Sequence, residues 1–114
     1  GVQDGRLAAC PDSPNCVSSF ESDDEHGIQP IRANLRQVEQ VLVGLDEANI
    51  VESSDGYLYA EFTSRIMRYV DDVEFLEDPS EGVTHVRSAS RLGYSDLGAN
   101  RSRIENIRGL ISDN

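Results

Sequence analysis

The side chains best suited to binding a ligand are concentrated in one stretch, residues 86–103. It contains four arginines, four serines, an aspartate and an asparagine. Each guanidinium is a planar fork that matches a carboxylate, phosphate or sulfate group. The stretch therefore predicts a site for a small anionic ligand or for a protein partner. The residues of this predicted site are Arg87, Ser88, Ser90, Arg91, Asp96, Asn100 and Arg103.

Three of these arginines are spaced so that they could meet in one pocket. Arg87 and Arg91 lie four residues apart, so their side chains share one face if the strand continues that far. Arg103 lies near the start of the last predicted helix, whose free amide groups also favour an anion. The hypothesis is a single anion pocket built by all three.

The same arginines could instead be neutralised inside the protein. Asp71, Asp72 and Glu74 lie on the preceding predicted strand, and neighbouring strands bring such side chains within a few ångströms. A buried arginine needs a partner, and Asp96 could accept amide hydrogens at the start of the last helix. An internal network that joins strand to helix is thus an alternative to a ligand site, and the sequence leaves both open.

Catalytic and metal sites are weaker alternatives. A hydrolase would need a base beside Ser88 or Ser90, and the only nearby histidine, His85, points to the opposite face from Ser88 on a regular strand. Asp72, Glu74 and Asp96 offer oxygen ligands to calcium or magnesium, but no spacing fixes a coordination geometry. We therefore expect a non-catalytic protein without a cofactor.

The two cysteines predict a disulfide. Cys10 and Cys16 are separated by a five-residue loop that contains two prolines. Metal binding would require further soft ligands, and His26 and His85 lie far apart in the sequence. A disulfide in so small a domain indicates an oxidising compartment.

The charge balance indicates a saline habitat. Asp and Glu total 21, the ten basic residues are all arginine, and the net charge is -11. This charge disfavours binding to nucleic acid or to an anionic membrane through bulk electrostatics. Near 1 M salt the Debye length falls to about 3 Å, which screens the self-repulsion. The composition therefore predicts a halophilic source, and no apolar run approaches the roughly 18 residues of a membrane span.

The elements that must position the site follow from hydrophobic periodicity. An apolar stripe predicts a first helix, strands are predicted at 50–52, 57–64, 70–76 and 83–90, and a second stripe predicts a last helix. The stripe residues are Ile31, Leu35, Val38, Leu42 and Leu45 in the first helix, and Ile104, Ile107 and Ile111 in the last. Short connections predict an antiparallel meander.

The predicted fold class is therefore α+β. A four-stranded antiparallel meander carries an N-terminal and a C-terminal helix on one face. Residues 1–114 form a single domain, in which an irregular segment at 1–27, pinned by the disulfide, precedes a core at 28–114. Because the first residue is glycine, we expect that a leader or lipid anchor precedes it.

Three segments resemble the bacterial and plastid family called domain of unknown function 1499. They are residues 7–19, residues 71–75, and the run from 87–91 to 100–101. The pattern of that family has Arg87, Ser88, Ser90, Arg91, Asp96, Gly98, Asn100 and Arg103 at matching positions. The resemblance implies an exported protein, often with a lipoprotein-type leader, and it brings no established activity.

Together these features predict an exported module of the periplasm or cell envelope of a halophilic bacterium. We expect it to bind a small anionic ligand or a protein partner, but not nucleic acid. Contact with a membrane would be through an N-terminal anchor. The alternatives are a hydrolase that uses the Arg, Ser and Asp cluster, and weak binding of a divalent cation by Asp and Glu.

Overall fold

A computed structural model describes residues 1–93 and 96–113. The elements, in chain order, are β1 (Val2–Gln3), β2 (Arg6–Leu7), β3 (Cys16–Ser18), α1 (Leu35–Val43), β4 (Ala48–Ser54), β5 (Tyr57–Thr63), β6 (Val70–Asp78), β7 (Val83–Ser90) and α2 (Ala99–Ser112). The predicted α+β class is confirmed. No helix in the described ranges is long and apolar enough to cross a membrane.

The main sheet has five antiparallel strands in the order β3-β7-β6-β5-β4, so the prediction of four strands was wrong. The additional strand is β3, in which Cys16 pairs with Ala89 of β7. The segment 1–27 also contains the short hairpin β1–β2 and is therefore not wholly irregular. Strands of two or three residues show no hydrophobic period, and their conformation depends on a partner distant in sequence.

The four predicted strands are confirmed as β4 to β7. The Asp55-Gly56 pair makes a two-residue hairpin turn, in which Gly56 has a left-handed φ of 78°. Strand side chains alternate between a face that packs on the helices, called the inner face here, and an outer polar face. The inner face and the two helices share one hydrophobic core, in which Leu58, Val73 and Phe75 are fully buried.

Helix α1 begins later than the start of its apolar stripe. Asn34 is its cap: the Asn34 side chain accepts a hydrogen bond from the Gln37 amide (2.9 Å), and the Gln37 side chain accepts one from the Asn34 amide (3.0 Å). This reciprocal capping box satisfies two amides that would otherwise lack partners. Ile31 is buried but precedes the helix, where it forms a bridge with Thr84 of β7.

The Cys10–Cys16 disulfide is present, with Cα atoms 5.7 Å apart, and the structure has no free cysteine. It closes a short loop immediately before β3. In the chain-entropy model a loop of this size stabilises the fold by about 2 kcal/mol. The disulfide thus helps to hold the edge strand against β7.

His26 ties the disulfide loop to the acidic loop that follows β3. Its Nδ1 lies 2.7 Å from the Asp23 carboxylate, and its Nε2 lies 2.9 Å from the Ser13 carbonyl. Both partners only accept hydrogen bonds, so both ring nitrogens must carry a proton. The Ser13 carbonyl and then the Asp23 carboxylate raise the pKa of His26 above its ordinary value of 6.5.

We predict that this contact makes stability depend on pH. Because the pKa of His26 is raised in the folded state, its contribution is complete below the unfolded pKa of about 6.5 and is lost as pH rises through the folded pKa. The difference in free energy of unfolding between the wild type and His26→Gln should therefore shrink as pH rises from about 6.5 to 9. Urea unfolding at each pH measures it.

The second histidine, His85, does not contribute to the change in stability over this pH range. Burial lowers the pKa of His85, so its contribution is complete above about 6.5 and changes only at lower pH. A difference between the wild type and His26→Gln that stays constant over the whole range would show that His26 is not held as an imidazolium.

Candidate functional site

The predicted site residues divide between the two faces of the sheet. Ser88 and Ser90 lie on the inner face, together with Asp71 of β6, which pairs with Ser90. Arg87 lies on the outer face, opposite Glu74. The division follows from strand alternation, and it separates the motif into an inner network and an outer cluster. Residues 94–95 of the motif lie outside the described residues.

The inner network centres on Asn100 in α2, which is fully buried. Its Oδ1 accepts hydrogen bonds from the Ser88 hydroxyl (2.6 Å) and from Nη1 of Arg103 (2.7 Å). Nη1 of Arg103 also donates to Ser88 (3.0 Å), and its Nη2 donates to the Asp71 carboxylate (2.6 Å). One polar chain therefore connects α2 to β7 and β6.

The amide nitrogen of Asn100 extends the network to two loops. Its Nδ2 lies within hydrogen-bond distance of the Asn15 carbonyl (3.1 Å), the Ser90 hydroxyl (2.9 Å) and the Asp96 carboxylate (2.6 Å). Asp96 also accepts the backbone amides of Gly98 and Asn100, at 2.8 and 3.0 Å. It therefore satisfies donors at the start of α2, as predicted. Burial opposes its ionisation, but the hydrogen bonds from Asn100 and from the Gly98 amide together outweigh this and lower the pKa of Asp96.

The outer cluster centres on Arg91, which is exposed. Its Nε and Nη2 donate to the two oxygens of Asp72 at 2.9 and 2.8 Å, and Nη2 also donates to Glu61 at 2.7 Å. The Tyr59 hydroxyl donates to Asp72 at 2.5 Å. Arg91 is the main cause of the lowered pKa of Asp72. The guanidinium is thus already occupied by a bidentate carboxylate.

Arg87 holds the N-terminal segment onto the outer face. Its Nε donates to the Ala8 carbonyl (3.0 Å) and its Nη2 to the Ala9 carbonyl (3.3 Å). Its Nη1 lies 3.9 Å from Glu74, and the Tyr57 hydroxyl donates to the same carboxylate at 2.6 Å. The Arg87 side chain therefore stabilises the backbone of the segment just before the disulfide.

The hypothesis of one pocket built by three arginines is corrected by this arrangement. Arg87 and Arg91 lie on the outer face, whereas Arg103 lies on the inner face with Asp71. Asp71 and Asp72 are adjacent residues of a regular strand, so they project to opposite sides and take different arginines. The structure brings together Ser88, Ser90, Asp96, Asn100 and Arg103, and it keeps Arg87 and Arg91 apart from them.

Ser88 and Ser90 have no histidine beside them. His85 lies on the outer face, where its Nδ1 is 2.9 Å from the Ser19 hydroxyl and its ring stacks on Phe20 at 4.2 Å. Ser19 also accepts the Val86 amide (2.9 Å), and within the described part of the chain no carboxylate contacts His85. The Ser19–His85 pair was missed from the sequence because Ser19 lies in the segment without a hydrophobic period.

The carboxylates do not form a metal site in the part of the chain that the structure describes. No group of three or more His, Cys, Asp or Glu residues there could hold a metal ion. Asp72 and Glu74, two of the proposed oxygen ligands, contact arginines and tyrosines, whereas Asp96 lies at the start of α2.

A cleft of about 650 Å³ lies at one end of the sheet, between the α1–β4 turn, the β5–β6 loop and α2. Arg103 of the inner network lines one wall, and Arg65 and Arg68 line the cleft from the loop. The acidic residues Asp46 and Glu47 also border it. The cleft links the network to the surface, and we call it the Arg103 cleft.

The two loop arginines differ from those of the motif. Neither Arg65 nor Arg68 makes an ion pair or a side-chain hydrogen bond with any residue that the structure describes. Arg103 is fixed by its network and lies with its guanidinium carbon 5.0 Å from the Phe62 ring centroid. Sequence reasoning did not select Arg65 and Arg68. The available signal was two arginines in a short loop with no adjacent acidic residue.

We predict that stability depends on the inner network more than on the outer cluster. Arg103→Met leaves Asp71 and Asn100 without their cationic partner and should lower the free energy of unfolding by about 3 kcal/mol. Arg91→Met breaks a solvent-exposed pair and should lower the free energy of unfolding much less. Urea unfolding of both variants tests this, and equal losses would contradict it.

Comparison with known proteins identifies the family but adds no further relative. A search of curated proteins and a search of solved structures each returned no significant match. Residues 6–111 match the family described as Protein of unknown function (DUF1499), which confirms the resemblance seen in the motifs. The match covers nearly the whole chain, and the protein therefore belongs to the DUF1499 family.

Proposed function

We propose that the protein is a non-catalytic, exported module that binds a small acidic ligand in the Arg103 cleft. The observation that carries the proposal is the contrast among its arginines. Arg91 and Arg103 have carboxylate partners, whereas Arg65 and Arg68 have none in the described chain. Two uncompensated guanidinium groups facing one cleft are available to an anion.

The lining of the cleft is less acidic than the chain as a whole. Three arginines and two acidic residues line the cleft, and the charge of Arg103 is paired with Asp71, in a protein whose net charge is -11. Arg65 and Arg68 are therefore the cations that remain available to an anion. Hydrogen bonds to a charged group contribute about 1.5–3 kcal/mol each. Arg103 is already oriented by Ser88, Asn100 and Asp71, so binding at this wall requires little further ordering.

The apolar residues that line the Arg103 cleft indicate which kind of acidic ligand it would bind. Leu45 and Ala48, both half-buried, supply apolar surface next to the arginines, above the buried Phe62 and Ile107. An apolar wall beside a few oriented polar groups is typical of small-molecule sites. The proposed ligand therefore combines a carboxylate or phosphate group with an apolar body.

The proposed setting is an oxidising, saline compartment, namely the periplasm or cell envelope of a halophile. The Cys10–Cys16 disulfide supports the first part, because such bonds persist outside the reducing cytosol. The absence of lysine and the net charge of -11 support the second. Self-repulsion of that size decreases as salt shortens the Debye length.

Ligand binding can be tested with octanoate, using titration calorimetry. We expect octanoate to bind more tightly than octanol, which lacks the charge, and than inorganic phosphate, which lacks the apolar body. The double variant Arg65→Gln/Arg68→Gln should weaken octanoate binding by about 100-fold or more, since two contacts with a charged group are lost and each contributes about 1.5–3 kcal/mol.

The matched control is Arg36→Gln, which removes an exposed arginine without an ion pair in the described chain, on α1 and outside the cleft. It should leave octanoate binding unchanged. Equal weakening by both variants, or equal affinity for octanoate and octanol, would reject the cleft as an anion site.

The saline setting predicts that Tm rises between about 0.1 and 2 M NaCl, where the Debye length falls below about 10 Å. Each kcal/mol gained should raise Tm by roughly 4–8 °C. The control variant changes the exposed residues Asp12, Asp24 and Asp113 to Asn. Because this variant carries less negative charge, its Tm should rise less with salt than the Tm of the wild type. A Tm that is independent of salt in the wild type would contradict the proposal, and calorimetry measures both proteins.

A further inference from the structure

The loop between β5 and β6, residues 64–69, exposes large apolar side chains at its tip. Ile66 is 86% exposed, Met67 62% and Tyr69 53%. Exposed apolar residues scattered singly are normal, but three within four positions are not. The loop presents a small apolar tip with Arg65 and Arg68 beside it.

The backbone of the loop holds this tip in an outward position. The Ser64 amide donates to the Tyr69 carbonyl (2.8 Å), the Tyr69 amide donates to the Ser64 hydroxyl (2.9 Å), and the Arg68 amide donates to the Ser64 carbonyl (3.2 Å). Arg68 has a left-handed φ of 60°, which is costly for a residue other than glycine. The fold thus maintains the exposure of Ile66 and Met67 at some backbone cost.

A second loop adds to the same end of the sheet. Asp71 at the start of β6 pairs with Ser90 at the end of β7, so the chain that follows β7 emerges beside the β5–β6 loop. Leu92 lies there and is 72% exposed. The exposed side chain of Val43, in contrast, is on α1. Of the eight large apolar side chains that are exposed in the described chain, Ile66, Met67, Tyr69 and Leu92 therefore lie at this end of the sheet.

We infer that this end of the protein docks on the surface of a phospholipid bilayer. The Ile66 and Met67 side chains enter the boundary of the acyl chains, and Tyr69 lies at the level of the head groups. Arg65 and Arg68, which have no carboxylate partner in the described chain, bind head-group phosphates. This inference deepens the proposed function, since it makes a lipid head group the acid that the cleft receives.

The charge of the chain sets how docking responds to salt. A net charge of -11 opposes approach to an anionic bilayer, so the attachment depends on the apolar tip and two local arginines rather than on bulk charge. Apolar insertion is not screened by salt. Docking should therefore persist at about 1 M NaCl, unlike that of a polybasic segment. A bilayer is favoured over a protein partner because this one loop combines exposed apolar, aromatic and cationic side chains, the combination that is typical of a membrane interface.

The test is cosedimentation with vesicles of phosphatidylcholine and phosphatidylglycerol in about 0.1 and 1 M NaCl. The wild type should bind at both salt concentrations. Ile66→Ser/Met67→Ser should weaken binding by about tenfold or more, because two apolar side chains no longer insert. Val43→Ser removes a side chain that is 74% exposed on α1 and should have no effect.

A fluorescence measurement tests the same contact without removing it. The chain contains no tryptophan, so Met67→Trp supplies a single reporter at the tip. Its emission should shift to shorter wavelength when vesicles are added, and Val43→Trp should not respond. An unchanged emission of Met67→Trp, or vesicle binding that Ile66→Ser/Met67→Ser does not weaken, would overturn the inference.

The test of membrane docking and the test of the proposed anion cleft can fail independently of each other. Octanoate binding without vesicle binding would overturn membrane docking and leave the anion cleft intact. Vesicle binding that is lost in Ile66→Ser/Met67→Ser, with octanoate binding and Tm retained, would support docking at the tip. A wild type that ignores vesicles and binds a purified protein partner through Ile66 would also overturn the inference.

Discussion

The hydrogen bonds of the buried Asn100 amide are the interaction on which the rest of the structure depends. They join α2 to Ser88 on β7, to the Asn15 carbonyl just before β3, and through Arg103 to Asp71 on β6. Leaving one buried polar group without a partner costs about 1–3 kcal/mol. The helix and the strands can therefore move relative to one another only if several such groups lose partners together. The edge strand β3, with three residues of its own, is held by this network and by the disulfide.

The network also decides which charges remain for function. Asp71 and Asp72 are consecutive, so strand alternation sends one carboxylate to Arg103 inside and the other to Arg91 outside. Most arginines of residues 86–103 are therefore paired with a carboxylate or bonded to backbone carbonyls of the N-terminal segment. Charge that is uncompensated in an acidic protein is more informative than charge that is abundant, and at the Arg103 cleft it is found at Arg65 and Arg68, outside the motif.

The buried network and the exposed β5–β6 loop lie next to each other at one end of the sheet. Arg103 extends from the buried network to the wall of the cleft, while the loop that bears Arg65 presents Ile66 and Met67 to solvent. The cleft is therefore positioned by the buried network and opens beside the exposed apolar side chains of Ile66 and Met67. A ligand that is acidic at one end and apolar at the other fits both features. A lipid surface supplies such groups in the same order.

The sequence by itself determined the features that depend on local pattern. Strand alternation, the apolar stripes and the short connections predicted β4 to β7 and both helices, because their periods are set by neighbouring residues. The disulfide followed from the presence of only two cysteines and their short spacing, and the arginines and carboxylates on neighbouring strands indicated an internal network as one alternative. Only the tertiary structure decided that β3 joins the sheet, that Arg103 is separated from Arg87, and that Arg65 shares a cleft with Arg103. These features depend on distances between segments far apart in the chain, and no local periodicity encodes such distances.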